Sequence, residues 1–145
     1  MNSTSNQPLV RANWLQFGLW LLAVVPLSVG FWAFFAPYHF YEIFPLPSRH
    51  WISILGPYNE HLVRDYGANN LGFGVLLTAA AVLLERQIIQ VALVSWLAFS
   101  VPHFIFHLTQ THHFSPFDNV TQLSSLGFMV LLPIVLLYFV VTQNK

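Results

Sequence analysis

Four long stretches without formal charge are the feature that most constrains the fold of this chain. No Asp, Glu, Lys or Arg occurs in residues 12–41, 66–84, 87–117 or 119–144. Each stretch is close to or longer than the roughly 18–20 apolar residues with which an α-helix crosses the hydrocarbon core of a bilayer. Charged residues make up only 7% of the chain, against about 25% in soluble domains. The sequence therefore predicts an integral membrane protein.

The same stretches predict an all-α fold, a four-helix transmembrane bundle that forms a single domain over residues 1–145. The connection between the first and second spans carries prolines among aromatic residues, so we expect a loop that lies partly in the membrane interface. The turn Glu85-Arg86-Gln87 separates the second span from the third, which makes these two helices antiparallel neighbours. The spans are expected at about 14–36, 57–84, 88–110 and 121–142.

The charged residues outside the spans indicate an orientation in the cell membrane. With four spans both termini share a side, where Arg11, Arg86 and Lys145 fall, against Arg49 and Arg64 opposite. The positive-inside tendency then favours cytoplasmic termini. All histidines lie toward the other, extracytoplasmic end, namely His39, His50, His61, His103, His107, His112 and His113.

Composition excludes several classes of function. The chain has no cysteine, so disulfides, thiolate metal sites and thiol catalysis are absent. A formal net charge of zero gives no indication of nucleic-acid binding. The lipid bilayer is the partner that the composition predicts, and a homo-oligomer or a partner in a membrane complex stays open.

A polar segment at the start of the second span is the first candidate site. If the helix begins at Pro57, whose fixed φ suits a first turn, then His61, Asp65 and Asn69 share one stripe. Glu60 stands four residues before Arg64, which is the favourable order for an ion pair on a helix. We therefore expect one face of this helix to carry the polar and charged side chains of a site.

The opposite face of the second span carries small residues at a regular spacing. Gly67, Gly74 and Ala81 recur every seven residues, and small residues allow close contact between membrane helices. We interpret this stripe as internal packing in preference to a dimer seam.

A second polar stripe lies on the third span. Its members are Trp96, Ser100, His103, His107 and Gln110, which fall on one helix face. Because the turn between the second and third spans is at the other end, we expect the two polar stripes to face each other.

The facing stripes predict a metal site. Histidines at i and i+4 place two imidazoles on one face, and His61 with Asp65 repeats the spacing, giving a set suited to zinc, iron, manganese or copper. The predicted ligands are His61, Asp65, His103 and His107. The residues predicted to line the rest of the pocket are Glu60, Arg64, Asn69, Ser100 and Gln110.

Three other interpretations stay open. Two histidines on different helices are able to ligate a haem, and a quinone would use His and Asp to relay protons. The polar residues also fit a non-catalytic structural or assembly subunit, in which they only hydrogen-bond across helices. Whether the protein is an enzyme is open, and Asp65 or His61 would be its proton-transfer group.

Two segments carry a resemblance to a known group. The runs Pro37-Tyr-His-Phe-Tyr-Glu-Ile-Phe-Pro and Leu55-Gly-Pro-Tyr-Asn-Glu-His-Leu-Val-Arg-Asp-Tyr-Gly resemble small four-helix bacterial membrane proteins that are loosely similar to the DoxX-like group. The resemblance implies a bacterial inner-membrane location and a four-helix fold. Some DoxX-like proteins are associated with quinone-linked redox chemistry, which would favour the quinone interpretation.

Overall fold

A computed structural model describes residues 13–142 and is built from helices. Four helices are long and apolar enough to cross a membrane, and one short helix lies between the first two of them. The predicted all-α, four-helix transmembrane bundle is therefore confirmed. Arg11 and Lys145, on which the predicted orientation partly rests, lie outside the described residues. The helices are α1 (Asn13–Phe35), α2 (Pro37–Ile43), α3 (Glu60–Leu83), α4 (Arg86–Thr109) and α5 (Pro116–Thr142).

Helix α3 begins at Glu60, three residues after the predicted start at Pro57. Asn59 has an extended backbone, and its side-chain oxygen accepts a hydrogen bond from the Leu62 N–H at 3.2 Å. A side-chain acceptor at this position pairs one of the free N–H groups of the first turn. The cap therefore places the helix start after the proline.

Helix α5 begins earlier than the predicted residue 121. Ser115 Oγ accepts the Asp118 N–H at 3.1 Å and donates to Asp118 Oδ2 at 2.6 Å. Pro116 occupies the first helical position, where a missing N–H costs nothing. Because of these contacts α5 begins at Pro116. Its first turns extend toward the outer end of the bundle, which is the end opposite the termini.

The connection between α1 and α3 is more ordered than the predicted loop. It contains α2 and a short 3-10 turn at Ser53–Leu55. Phe40 and Trp51 are buried, and the Tyr41 hydroxyl donates to the Gly56 carbonyl at 2.6 Å. Its aromatic residues therefore pack on each other and cap the bundle. We call residues 37–59 the outer cap.

Helices α1 and α3 form the closest helix pair of the bundle. A Cβ atom built on Gly67 would stand 2.6 Å from the Phe34 nitrogen, and one on Gly30 would stand 2.8 Å from the Gly67 carbonyl oxygen. Gly74 and Ala81 are buried on the same face of α3. This geometry confirms that the small-residue stripe of α3 serves internal packing, with the backbones in direct contact.

Helices α4 and α5 form the second closest pair. The buried Trp96 donates from its indole nitrogen to the Met129 carbonyl at 2.9 Å. At the end that holds the termini, the amide of Gln16 on α1 donates to the Ala81 carbonyl on α3 at 3.0 Å. The hydrophobic core lies between these polar contacts and includes Leu19, Leu22, Leu77, Ile89, Leu93 and Leu136.

Candidate functional site

The polar stripe of α4 faces the interior of the bundle, as predicted. Trp96, Ser100 and His107 are buried, and His103 is half-buried. Gln110 ends the helix, also half-buried. The sequence pattern therefore identified the correct inward face of this helix.

Two imidazoles meet on this face. The ring centroids of His103 and His107 are 4.7 Å apart at an interplanar angle of 75°, because residues four apart are neighbours on a helix surface. His107 donates from Nδ1 to Oε1 of the buried Gln122 on α5 at 3.0 Å. The carbonyl oxygen only accepts, so a neutral His107 ring carries its proton on Nδ1 and presents Nε2 as a lone pair.

Sequence reasoning missed Gln122. It lies in an otherwise apolar span among hydroxyl residues, and an amide in that setting is the signal that could have found it. The neighbouring hydroxyls of Thr121 and Ser125 are exposed and bond carbonyls of their own helix, at 2.8 and 2.7 Å. The longer amide side chain is thus what reaches across to α4.

Aromatic rings surround His103. Its ring lies 5.4 Å from that of Phe99 and within 15° of parallel to it, and 6.3 Å from that of Tyr66 on α3. Tyr66 in turn stacks at 6.0 Å on Phe40 of the outer cap. His103 therefore lies at the junction of α3 and α4, packed against the rings of Phe99 and Tyr66. We call these two rings the aromatic wall.

The hydroxyl of Ser100 is buried and has no hydrogen-bond partner among residues 13–142. Ser100 precedes His103 by three residues and shares its helix face. A buried polar group without a partner costs about 1–3 kcal/mol, and each such group in a native protein needs an explanation. The site thus combines an unpaired hydroxyl with two imidazoles.

The polar stripe of α3 does not join this site. His61 Nε2 and Asp65 Oδ2 are 3.3 Å apart, with their side chains 83% and 63% exposed. Asn69 is exposed on the same side of the helix. The expectation that these residues lie opposite His103 and His107 is therefore wrong.

The packing of α1 explains this outcome. The glycine stripe of α3 must turn toward α1, and helix geometry then directs the stripe of Asp65 away from the bundle. The residue that α3 offers to His103 is Tyr66. Glu60 and Arg64 form the predicted ion pair at 2.8 Å, and Arg64 also donates to the Phe34 carbonyl of α1.

The four predicted metal ligands are not assembled in one place. Within the described part of the chain, no group of three or more His, Asp or Glu side chains is arranged to hold a metal ion. The ligand pair that remains is His103 and His107. Metal binding stays a prediction that these two residues alone would have to support.

A second polar junction, also missed from the sequence, joins the outer cap to α5. Asp118 Oδ1 accepts from Arg49 Nη1 at 3.2 Å and from the Trp51 indole nitrogen at 2.9 Å. The Arg49 guanidinium also lies 4.6 Å above the centre of the Phe117 ring. Asp118 is the only acidic residue after Glu85, and this isolated charge is the signal that could have pointed to the junction.

No protein-family model, curated protein or solved structure matches the chain. The indications of function are therefore those of the site itself, namely the imidazole pair, the unpaired hydroxyl and the aromatic wall.

Proposed function

We propose that this membrane protein binds an amphipathic small molecule of the quinone class and acts as a redox accessory protein. The observation that carries the proposal is the contact between His103 and His107 inside a membrane-spanning helix, with one imidazole fixed by Gln122. Ionisable groups within spans are costly and usually mark a site. The headgroup would lie at the imidazole pair and the tail in the bilayer.

The hydrogen-bonding groups of the site suit such a headgroup. A quinone carries two carbonyl acceptors, and the His103 imidazole and the Ser100 hydroxyl are donors on one helix face. The lone pair on His107 Nε2 would accept a proton from the reduced form. A quinone carbonyl would also supply the partner that the buried Ser100 hydroxyl lacks.

The apolar part of the site suits the same class. Phe99 and Tyr66 place aromatic rings next to His103, and aromatic side chains commonly line sites for small planar ligands. His103 lies six residues before Thr109, the last residue of α4, which is about 9 Å from the helix end. An amphipathic molecule at that depth keeps its polar ring near the interface and its tail in hydrocarbon.

Quinone titration of the purified protein tests the proposal. Protein in mild detergent is titrated with decylubiquinone and with menadione, and quenching of tryptophan fluorescence is recorded. The variants are His103→Phe and, as a matched control on the exposed loop, His112→Phe. We expect saturable quenching for the wild type and for His112→Phe, and its loss in His103→Phe. Equal quenching in all three proteins would mean partition into the micelle and would refute the proposal.

Elemental analysis separates the metal hypothesis from the quinone proposal. The protein is prepared without chelators or a His-tag, and its transition-metal content is measured in the wild type and in His103→Phe. A stoichiometric metal that His103→Phe removes, without any quinone effect, would replace the proposal by the metal site.

A second candidate function is that of a structural or assembly subunit. It is favoured by the polar side chains that tie helices together, such as Trp96 to Met129, His107 to Gln122 and Arg86 to the Val141 carbonyl. If this is the function, His103→Phe would change the thermal stability of the protein, and neither quinone binding nor a bound metal would be detected in the wild type.

A further inference from the structure

One face of α3 is polar and points away from the bundle. Its members His61, Asp65, Ala68, Asn69 and Gly72 are all exposed. We call them the α3 outer stripe. They lie on the side of the helix opposite the glycines that contact α1.

Part of the α3 outer stripe lies at hydrocarbon depth. Helix α3 has 24 residues, which is about 36 Å of helix across a core of about 30 Å. Asn69 lies nine residues after Glu60, about 13 Å into the helix, and Gly72 lies near its middle. An amide that faces lipid at this depth has no water to bond, and in membrane proteins such groups pair across helices.

Packing within the bundle does not explain why residue 72 is a glycine. A Cβ atom on Gly72 would meet nothing within 4 Å, whereas one on Gly67 or Gly74 would collide with α1. Ala68 and Gly72 together form a small-xxx-small pair on an exposed face, which is the spacing that lets two membrane helices approach closely. The bundle itself makes no use of this pair.

We infer that the α3 outer stripe is the contact surface of a symmetric dimer, in which it packs on the same stripe of a second copy. Two copies share one membrane orientation, so their α3 helices run parallel about a twofold axis along the membrane normal. The stripe is complementary to itself, because Asn69 carries both donors and an acceptor and bonds its own counterpart. Toward the outer end, His61 and Asp65, which lie 3.3 Å apart within one chain, present a ring nitrogen and a carboxylate to the same two groups of the second copy. This inference is independent of the proposed ligand site on α4.

Disulfide crosslinking in native membranes tests the dimer. The chain has no cysteine, so a single introduced cysteine reports only its own contacts. The variants are Gly72→Cys and Ala68→Cys, with Ala98→Cys as the control, since Ala98 is an exposed small residue near the middle of α4. With a mild oxidant we expect a product of twice the chain mass from the two α3 variants and none from Ala98→Cys.

Three results would overturn the inference. The first is equal crosslinking of Ala98→Cys, which would indicate random collision. The second is no crosslinking of Gly72→Cys, and the third is a disulfide product of a different mass, which would assign the stripe to another protein.

A second measurement does not depend on crosslinking. Gly72→Leu adds a side chain in open space, so the monomer keeps its fold, and its helical content checks this by circular dichroism. Sedimentation equilibrium in detergent should show loss of the dimer in Gly72→Leu. Asn69→Leu should weaken dimerisation roughly three- to twentyfold, the range for one polar contact between membrane helices. An unchanged dissociation constant in both variants contradicts the inference.

Discussion

Gly67 on α3 lies so close to Phe34 on α1 that a Cβ atom on the glycine would stand 2.6 Å from the phenylalanine backbone nitrogen. The position of this Cβ is fixed by the α3 backbone and the nitrogen belongs to the α1 backbone, so neither helix is able to relax by a side-chain rotation. Gly67→Ala should therefore destabilise the bundle by about 1–3 kcal/mol or more, the cost of overpacking. The measurement is thermal unfolding in a mild detergent.

Gly72→Ala is the matched control for this prediction. It makes the same chemical change on the same helix, at a position where a Cβ meets nothing within 4 Å. Measured where the protein is monomeric, its midpoint should equal or exceed that of the wild type, because alanine is the better helix former. Equal midpoints for Gly67→Ala and the wild type would show that the close contact of α1 and α3 does not limit stability.

Asp118 should hold the outer cap on α5. Asp118→Ala removes the acceptor of both Arg49 and Trp51, and we expect a lower midpoint of thermal unfolding because the Trp51 indole N–H is left without its partner. Hydrogen exchange of the cap, residues 37–59, should accelerate while that of α1 and α3 stays slow. Asp65→Ala, at an exposed carboxylate, should leave cap exchange unchanged. Uniform acceleration across the whole bundle would instead indicate global unfolding.

Gln122 should fix the orientation of His107. Gln122→Leu leaves the Nδ1–H of a buried imidazole without its acceptor, and we expect a loss of about 0.6–1.7 kcal/mol, the range for polar contacts between membrane helices. The same variant should raise the dissociation constant for decylubiquinone. Gln87→Leu, at an exposed position in the first turn of α4, is the control for both readouts. An unchanged dissociation constant for decylubiquinone in Gln122→Leu would show that His107 is not part of the binding site.

The outer cap should face away from the cytoplasm. Single cysteines at Ser48, in the outer cap, and at Gln87, in the first turn of α4, are both exposed and lie at opposite ends of the bundle. From the positive-inside tendency, we expect a membrane-impermeant maleimide to label Ser48→Cys in intact cells, and Gln87→Cys only after the cells are opened. The reverse pattern would invert the orientation.

The fold was predictable because its main determinant is local. A charge-free run of about 20 residues crosses a bilayer whatever its neighbours do, and Glu85-Arg86 marks the turn between α3 and α4 without any tertiary information. Helix starts were less predictable. They depend on caps such as Ser115 with Asp118, where one hydroxyl and one carboxylate bond reciprocally.

The site was predictable on α4 and not on α3. Periodicity tells which residues share a helix face, and it does not tell which face turns inward. On α4 the inward face is the polar one, whereas on α3 the contact of Gly67 with α1 decides the rotation and leaves Asp65 outside. The contacts that Gln122 and Asp118 make with other helices were missed because their partners are distant in sequence, 15 residues for His107 and 67 for Trp51.

The hydrogen bond between Trp51 and Asp118 also has a consequence for the order in which parts of the protein assemble during synthesis. Helices α1 and α3 have all of their mutual contacts once residue 83 has entered the membrane, so this pair is able to form while the rest of the chain is still being translated. The outer cap has to wait for the beginning of α5, which arrives only after α4 has crossed. A nascent chain arrested before Pro116 would therefore display a paired α1 and α3 beneath a cap that lacks its bonds to α5, and that surface is what the cell's insertion and quality-control machinery would meet.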